Sequence, residues 1–101
     1  MSKVAVIAKI PALPGKRDEL IVALQAALDN AEGEADTLKY ILHEDAADAD
    51  VVWFYEMYTD QDALIAHGTS DAFKAIGMGM RDLAAGRPEL TFLKPIGGKG
   101  I

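Results

Sequence analysis

The chain has 101 residues, a length that fits one domain, and half of its residues are hydrophobic. Its formal net charge of −6, with basic residues scattered along the chain, argues against nucleic-acid binding. The absence of cysteine excludes disulfides, thiolate nucleophiles and cysteine-based metal sites. No apolar run reaches the length of a membrane span, and the N-terminus lacks the features of a signal peptide, so we expect a cytoplasmic protein away from membranes.

A strand and then a helix are predicted at the start of the chain. Residues 4–10 form a short apolar run rich in β-branched side chains, and it ends at Pro11. From Lys16 onward, leucines and alanines recur at helical spacing with polar residues mostly opposite them. This amphipathic helix is expected to end near Gly33.

Two more strands, which we expect to pair antiparallel, are predicted at residues 37–44 and 51–58. The second of them places four aromatic residues in eight positions. Because side chains alternate on a strand, Phe54, Glu56 and Tyr58 share one face while Trp53 and Tyr55 share the other. Both faces are apolar and must be covered, which a short chain cannot easily do alone, so the pattern points to a partner.

The rest of the chain predicts helices followed by a last strand. Thr59 or Asp60 is placed to cap a short helix that breaks at Gly68, and Ser70 to cap another that runs to about residues 85–86. The final strand is predicted from Glu89 to Ile96.

This order of elements predicts a ferredoxin-like α+β domain of βαββαβ type over residues 1–96, followed by a flexible tail at residues 97–101. It has a four-stranded antiparallel sheet with helices on one face. Packing of the bare sheet face against a second copy would bury its aromatic residues, so we expect a homodimer in the form of a dimeric α+β barrel.

Several short patterns resemble the antibiotic biosynthesis monooxygenase family, and the resemblance covers nearly the whole chain. They are Pro14-Gly15-Lys16, Glu34 with Leu38-Lys39-Tyr40, Phe54-Tyr55-Glu56 closing on Tyr58, and Ala66-His67 with Ser70 and Phe73 behind. Tyr58 departs from the pattern, since many members have tryptophan there. The resemblance implies a quinol monooxygenase-like enzyme that oxidises a hydroquinone or polyphenol with O2, without a metal or flavin cofactor.

Such chemistry needs a dry pocket, a base for a phenolic proton and donors for the resulting anion. His67 is the candidate base because imidazole titrates near neutral pH, with Glu56 orienting it and Tyr58 beside them. An equally open alternative is structural: His67 bonds Glu56 and fixes its helix. For Glu56 the choice is likewise between a pocket carboxylate and a buried structural acceptor.

Four further residues are candidate substrate contacts: Phe54, Tyr40, Phe73 and Met80. Tyr40 carries a polar group that seeks a partner when buried, whereas the core interpretation is the stronger one for both phenylalanines. Methionine commonly fills gaps, so Met80 has the same alternative. Two histidines do not make a convincing metal site. A second hypothesis for the whole protein is a dimeric barrel that binds a small aromatic ligand without turnover.

Overall fold

The computed structural model describes residues 2–101, which form four strands and three helices. They are, in chain order, β1 (Val4–Pro11), α1 (Arg17–Glu32), β2 (Thr37–Glu44), β3 (Val51–Tyr58), α2 (Gln61–Thr69), α3 (Asp71–Met80) and β4 (Glu89–Leu93). Within these residues no helix is both long and apolar enough to cross a membrane.

The strands form one antiparallel sheet in the order β2-β3-β1-β4, which confirms the predicted ferredoxin-like α+β fold. Strands β2 and β3 pair as expected, and β3 lies inside the sheet between β2 and β1.

The predicted caps form as expected. The carboxylate of Asp60 accepts a hydrogen bond from the backbone N–H of Ala63 at 2.8 Å, at the start of α2. The hydroxyl of Ser70 accepts one from the N–H of Phe73 at 3.1 Å, at the start of α3. Because Ser70 caps α3 immediately after α2 ends, the two helices follow each other without a loop.

Three predicted boundaries were wrong. Helix α2 does not break at Gly68 but continues to Thr69, and α3 ends at Met80 instead of residues 85–86. Backbone hydrogen bonds to the segment after β1, including Leu13 N–H to Leu83 C=O and Ala85 N–H to Pro11 C=O, hold residues 83–85 in a non-helical path.

The last strand ends at Leu93 instead of Ile96 because β1, the strand with which it pairs, has almost no residues left to pair with it. Leu93 pairs with Ala5, next to the first residue of β1, so little of β1 remains for pairing beyond it. Pro95 also has no N–H to donate to a ladder.

One face of the sheet packs on α1 and carries the core. Its largest fully buried side chains include Leu20 and Leu24 of the helix with Val52 of β3. Burying such a side chain stabilises the fold by about 1.5–3 kcal/mol relative to leaving it exposed.

Within residues 2–101, no helix packs on the opposite face of the sheet. Ile7, Trp53 and Tyr55 are half-buried there, and Ile41 remains 45% exposed. The register places Ile7, Tyr55 and Ile41 side by side across three strands. This row of apolar side chains, with Trp53 next to it, is called the bare face below.

Candidate functional site

A cavity of about 590 Å³ lies between the helix-facing side of the sheet and α3. Most of its lining is apolar and comes from the sheet, from α1 and from α3, including Ala8, Ile10, Leu24, Phe54, Ile76 and Leu90. The ionisable or phenolic side chains that reach it are those of Tyr40, Glu56, Arg81 and Arg87. A mostly apolar cavity with a few polar groups is the usual form of a small-molecule site.

A bulge in β2 brings Tyr40 to this side of the sheet. The pairing shifts between Thr37, which lies opposite Tyr58, and Lys39, which lies opposite Met57. The extra residue changes the alternation, so that Tyr40 pairs with Glu56 and both side chains reach the cavity.

Glu56 is the buried carboxylate of the cavity, with only 7% of its surface exposed. The hydroxyl of Tyr58, two residues along the same face of β3, donates a 2.5 Å hydrogen bond to its Oε1. Burial raises the pKa of Glu56 above its ordinary value, while this hydrogen bond and the neighbouring His67 oppose the rise. Glu56 is therefore a stronger proton acceptor, once ionised, than an exposed glutamate.

Burial also raises the pKa of the Tyr58 phenol, and the hydrogen bond to Glu56 adds to the increase. Tyr58 therefore keeps its proton and serves as a donor to the carboxylate. The pKa of Tyr40 is raised as well, first by burial and then by the charges of Glu56 and Glu34. Both phenols are neutral donors at physiological pH.

His67 lies behind this carboxylate and pairs with a different residue than predicted. Its Nδ1 is 2.9 Å from Oε1 of Glu34, which also accepts a hydrogen bond from the hydroxyl of Thr37 at 2.9 Å. The expected hydrogen bond between His67 and Glu56 was wrong: His67 pairs with Glu34, and Oε1 of Glu56 accepts the hydrogen bond of Tyr58 instead. The Nε2 atom of His67 is buried and has no partner within residues 2–101.

Aromatic rings connect His67 to the cavity wall. Its ring centroid lies 5.2 Å from Tyr40, 5.4 Å from Tyr58 and 5.4 Å from Phe73. Tyr40 in turn packs on Phe54 at 4.6 Å. These tilted and edge contacts fix the Tyr40 ring between His67 and the cavity.

Five of the seven candidate site residues line the cavity: Tyr40, Phe54, Glu56, Phe73 and Met80. Phe54 and Met80 also contribute to the core, Phe54 as a member of the buried cluster and Met80 packed against it. The other two, Tyr58 and His67, are buried one layer behind the wall. The structure thus brings all seven into one region but gives direct access to only five.

Sequence reasoning missed two arginines and one carboxylate. Arg81 and Arg87 line the cavity, and Glu34 holds His67. Glu34 was part of a family-like pattern without an assigned role, whereas neither arginine lies in a pattern. The helical pattern of this part of the sequence gave no indication that the residues after α3 would line a cavity.

No group of three or more metal-binding side chains occurs anywhere from residue 2 to residue 101. The polar groups of the cavity are one carboxylate, one phenol and two guanidinium groups. Guanidinium groups carry only donors and do not bind metal ions.

The fold defines an α+β protein of the ferredoxin-like class, with a cavity between its sheet and its helices. The profile of the family described as antibiotic biosynthesis monooxygenase matches residues 3–77, and the chain belongs to this family. The predicted resemblance is thereby confirmed.

Solved structures agree with this assignment. A Caulobacter crescentus CB15 protein, provisionally described as an antibiotic biosynthesis monooxygenase, is 30% identical with a TM-score of 0.87, covering 95% of this chain and 92% of its own. Rv0793 from Mycobacterium tuberculosis is 27% identical with a TM-score of 0.87, covering 98% and 100%. PA3566 from Pseudomonas aeruginosa is 27% identical with a TM-score of 0.86, covering 96% and 97%. A comparison with curated proteins gives no significant match.

Proposed function

We propose that the protein is a monooxygenase that oxidises a flat, electron-rich aromatic diol of the hydroquinone or polyphenol type with O2. The observation that supports this most directly is Glu56, a buried carboxylate with a raised pKa in the wall of an apolar cavity. Membership of a family described by monooxygenase activity supports the reaction class. The substrate class is the one that the resemblance of the sequence patterns implies.

The reaction balances with O2 as the oxidant and no added reductant. A hydroquinone plus O2 gives a hydroxyquinone plus one water, so that one oxygen atom enters the product and the other leaves as water. The aromatic diol supplies all four electrons: two on becoming a quinone and two on gaining the hydroxyl group. The protein has only to bind the diol, remove a phenolic proton and keep bulk water away.

Glu56 is our candidate for the proton acceptor because it reaches the cavity directly. Burial raises the pKa of Glu56 toward neutral pH, and a general base is most effective when its pKa lies near the working pH. Tyr58 holds the carboxylate in place, and the phenol of Tyr40 is available to donate to the developing phenolate. His67 acts through Tyr40 and Tyr58 as a positioning residue in this scheme.

Oxygen consumption tests the proposal. We expect O2 uptake with a panel of mono- and polycyclic hydroquinones above the rate of autoxidation, and one atom of label in the product when ¹⁸O2 is supplied. Heat-denatured protein is the control for autoxidation. Ligand binding without oxygen uptake across the panel would contradict the proposal and favour a non-catalytic binding protein.

His67→Ala separates a catalytic from a structural role for the histidine. If His67 is a positioning residue, the substitution is expected to lower kcat and Tm together. The loss of stability should be about 1–3 kcal/mol, because the part-buried hydrogen bond with Glu34 is removed. Turnover per folded molecule is measured beside urea denaturation. A loss of turnover beyond about 10²-fold at unchanged stability would instead make His67 the base.

We also propose that the working form is a homodimer in which the bare faces of two copies pack together. The support is the row of half-buried and exposed apolar side chains at Ile7, Tyr55 and Ile41. Contiguous apolar surface of this kind marks interaction sites in soluble proteins. The cavity lies on the other side of the sheet, so each copy would keep its own site.

A further inference from the structure

Helices α2 and α3 are held to the rest of the molecule by very few buried side chains. Both helices lie within the described part of the chain, and His67 is the only residue of the two that is fully buried. Helix α1, by contrast, buries four of its side chains. The continuous segment formed by α2 and α3, residues 61–80, is called the arm below. A segment with so few buried side chains opens more easily than the rest of its fold.

The arm forms one wall of the cavity. Phe73, Ile76 and Met80 of α3 line it, and the last two also pack partly against the core. The opposite wall comes from the sheet, where Ala8 and Phe54 are paired with each other across β1 and β3. Strand pairing fixes the sheet wall, so an outward movement of the arm would widen the cavity.

A hydrogen bond joins the arm to the turn between α1 and β2. Nδ1 of His67 lies 2.9 Å from Oε1 of Glu34 in this turn. A carboxylate only accepts hydrogen bonds, so Nδ1 is the donor. Within residues 2–101, no other hydrogen bond connects residues 61–80 to α1, to this turn or to the sheet. The bond thus holds the arm at its buried side chain.

Glu34 is itself held from two sides. The side-chain amide of Asn30, near the end of α1, donates to its Oε2 at 3.3 Å. The hydroxyl of Thr37, at the start of β2, donates to its Oε1 at 2.9 Å. The carboxylate is therefore fixed to both elements, and a hydrogen bond to an ionised group is roughly twice as strong as a neutral one. Glu34 offers the arm a firmly placed acceptor.

We propose that the arm is a lid over the cavity and that Glu34 holds this lid closed through His67. Glu34 does not line the cavity, so it acts as a positioning residue that sets how often α3 leaves the cavity wall. Lids of this kind control the entry and release of ligands. The inference goes beyond the proposed function and does not depend on it, because a binding protein without turnover would need the same access.

Amide hydrogen exchange measures the lid without any ligand. Glu34→Ala is expected to speed exchange in residues 61–80 by about 10–100-fold, the effect of losing a hydrogen bond to a charged group, while amides of β1 and β3 exchange as in the wild type. Glu34→Gln keeps an oxygen that accepts from His67 and is expected to keep most of the protection. Glu32→Ala, at the exposed end of α1, is the matched control and is expected to exchange like the wild type.

A double variant assigns the effect to the pair of residues. His67→Ala is expected to speed exchange in the arm at least as much as Glu34→Ala does. Adding Glu34→Ala to it should change this exchange by less than about twofold, because the bond is already absent. A full further increase would show that Glu34 acts through the turn between α1 and β2 and would overturn the inference. Unchanged exchange in Glu34→Ala, or equal acceleration in the arm and the sheet, would overturn it as well.

The entry and release of an uncharged probe give a second readout. The fluorescence of N-phenyl-1-naphthylamine rises in apolar surroundings, so stopped-flow fluorescence follows its binding to the cavity. If the arm is a lid, Glu34→Ala raises the association and dissociation rate constants together, each by about tenfold, and leaves the Kd within about twofold of the wild-type value. Weaker binding without faster association would indicate a damaged cavity and reject the lid.

Discussion

Glu56→Gln is expected to lower the turnover of a hydroquinone by about 10²–10⁴-fold, the contribution of a positioned general base. Glutamine has the same shape and still accepts the hydrogen bond from Tyr58 through its amide oxygen. It cannot accept a phenolic proton. Steady-state oxygen uptake at matched folded concentration measures the effect, and Glu32→Gln, on the exposed side of α1, is the control. Full activity in Glu56→Gln would remove the carboxylate from the mechanism.

The same substitution is expected to stabilise the protein, and more at high pH than at low pH. Because the pKa of Glu56 is raised in the folded state, the folded chain binds this proton more tightly than the unfolded chain does. Stability is therefore lost as pH rises from the ordinary pKa of 4.5 through the raised folded value. Glutamine does not ionise, so this loss of stability at higher pH is absent from the variant.

Urea denaturation at pH 4 and pH 8 measures this stability difference. We expect the gain from Glu56→Gln to be larger at pH 8, because the raised pKa of the buried Glu56 costs the wild type stability as pH rises above the ordinary value of 4.5. A gain of the same size at both values would show that the pKa of Glu56 does not differ between the folded and unfolded chain. Lower activity combined with higher stability is the pattern that a functional carboxylate in an apolar site produces.

The sequence predicted the strands well because their signals are local. The bounds of β2 and β3 follow from alternation and from the aromatic run, and the caps Asp60 and Ser70 act on residues three positions away. The end of α3 was missed because backbone hydrogen bonds join residues 83 and 85 to Leu13 and Pro11 at the end of β1, about 70 residues earlier in the chain. No local pattern reports such a contact.

In the candidate site, too, the features set by local sequence were predicted and those set by distant contacts were not. Alternation on β3 placed Phe54 and Glu56 on the helix-facing side, where the cavity lies. The partner of His67 depends on the junction between α1 and β2, 33 residues away, and was assigned to the wrong glutamate. Arg81 and Arg87 reach the cavity through the turn after α3, which the helical periodicity did not predict.

Tyr55→Glu is expected to convert the proposed homodimer into a monomer. Tyr55 lies in the middle of the bare face, paired with Ile7 on one side and Ile41 on the other. A twofold dimer contains each interface residue twice, so the substitution buries two charges without partners. An uncompensated buried charge costs about 3–5 kcal/mol, which exceeds what a modest interface can lose at micromolar concentration.

Tyr55 is a better position for this test than Trp53 on the same face. The indole N–H of Trp53 donates a 2.7 Å hydrogen bond to Asp45, and the ammonium of Lys9 lies 5.7 Å from its ring centroid. Trp53→Glu would break these contacts within one copy and place a second carboxylate near Asp45. A loss of dimer in that variant would mix folding effects with interface effects.

Sedimentation velocity at micromolar concentration measures the result, with Val22→Glu as the matched control. Val22 is 75% exposed on α1, away from the bare face, and its substitution introduces the same charge. We expect the wild type and Val22→Glu to sediment as dimers and Tyr55→Glu as a folded monomer with an unchanged cavity. A monomeric wild type would reject the dimer, and a dimeric Tyr55→Glu would move the interface from the bare face to another surface.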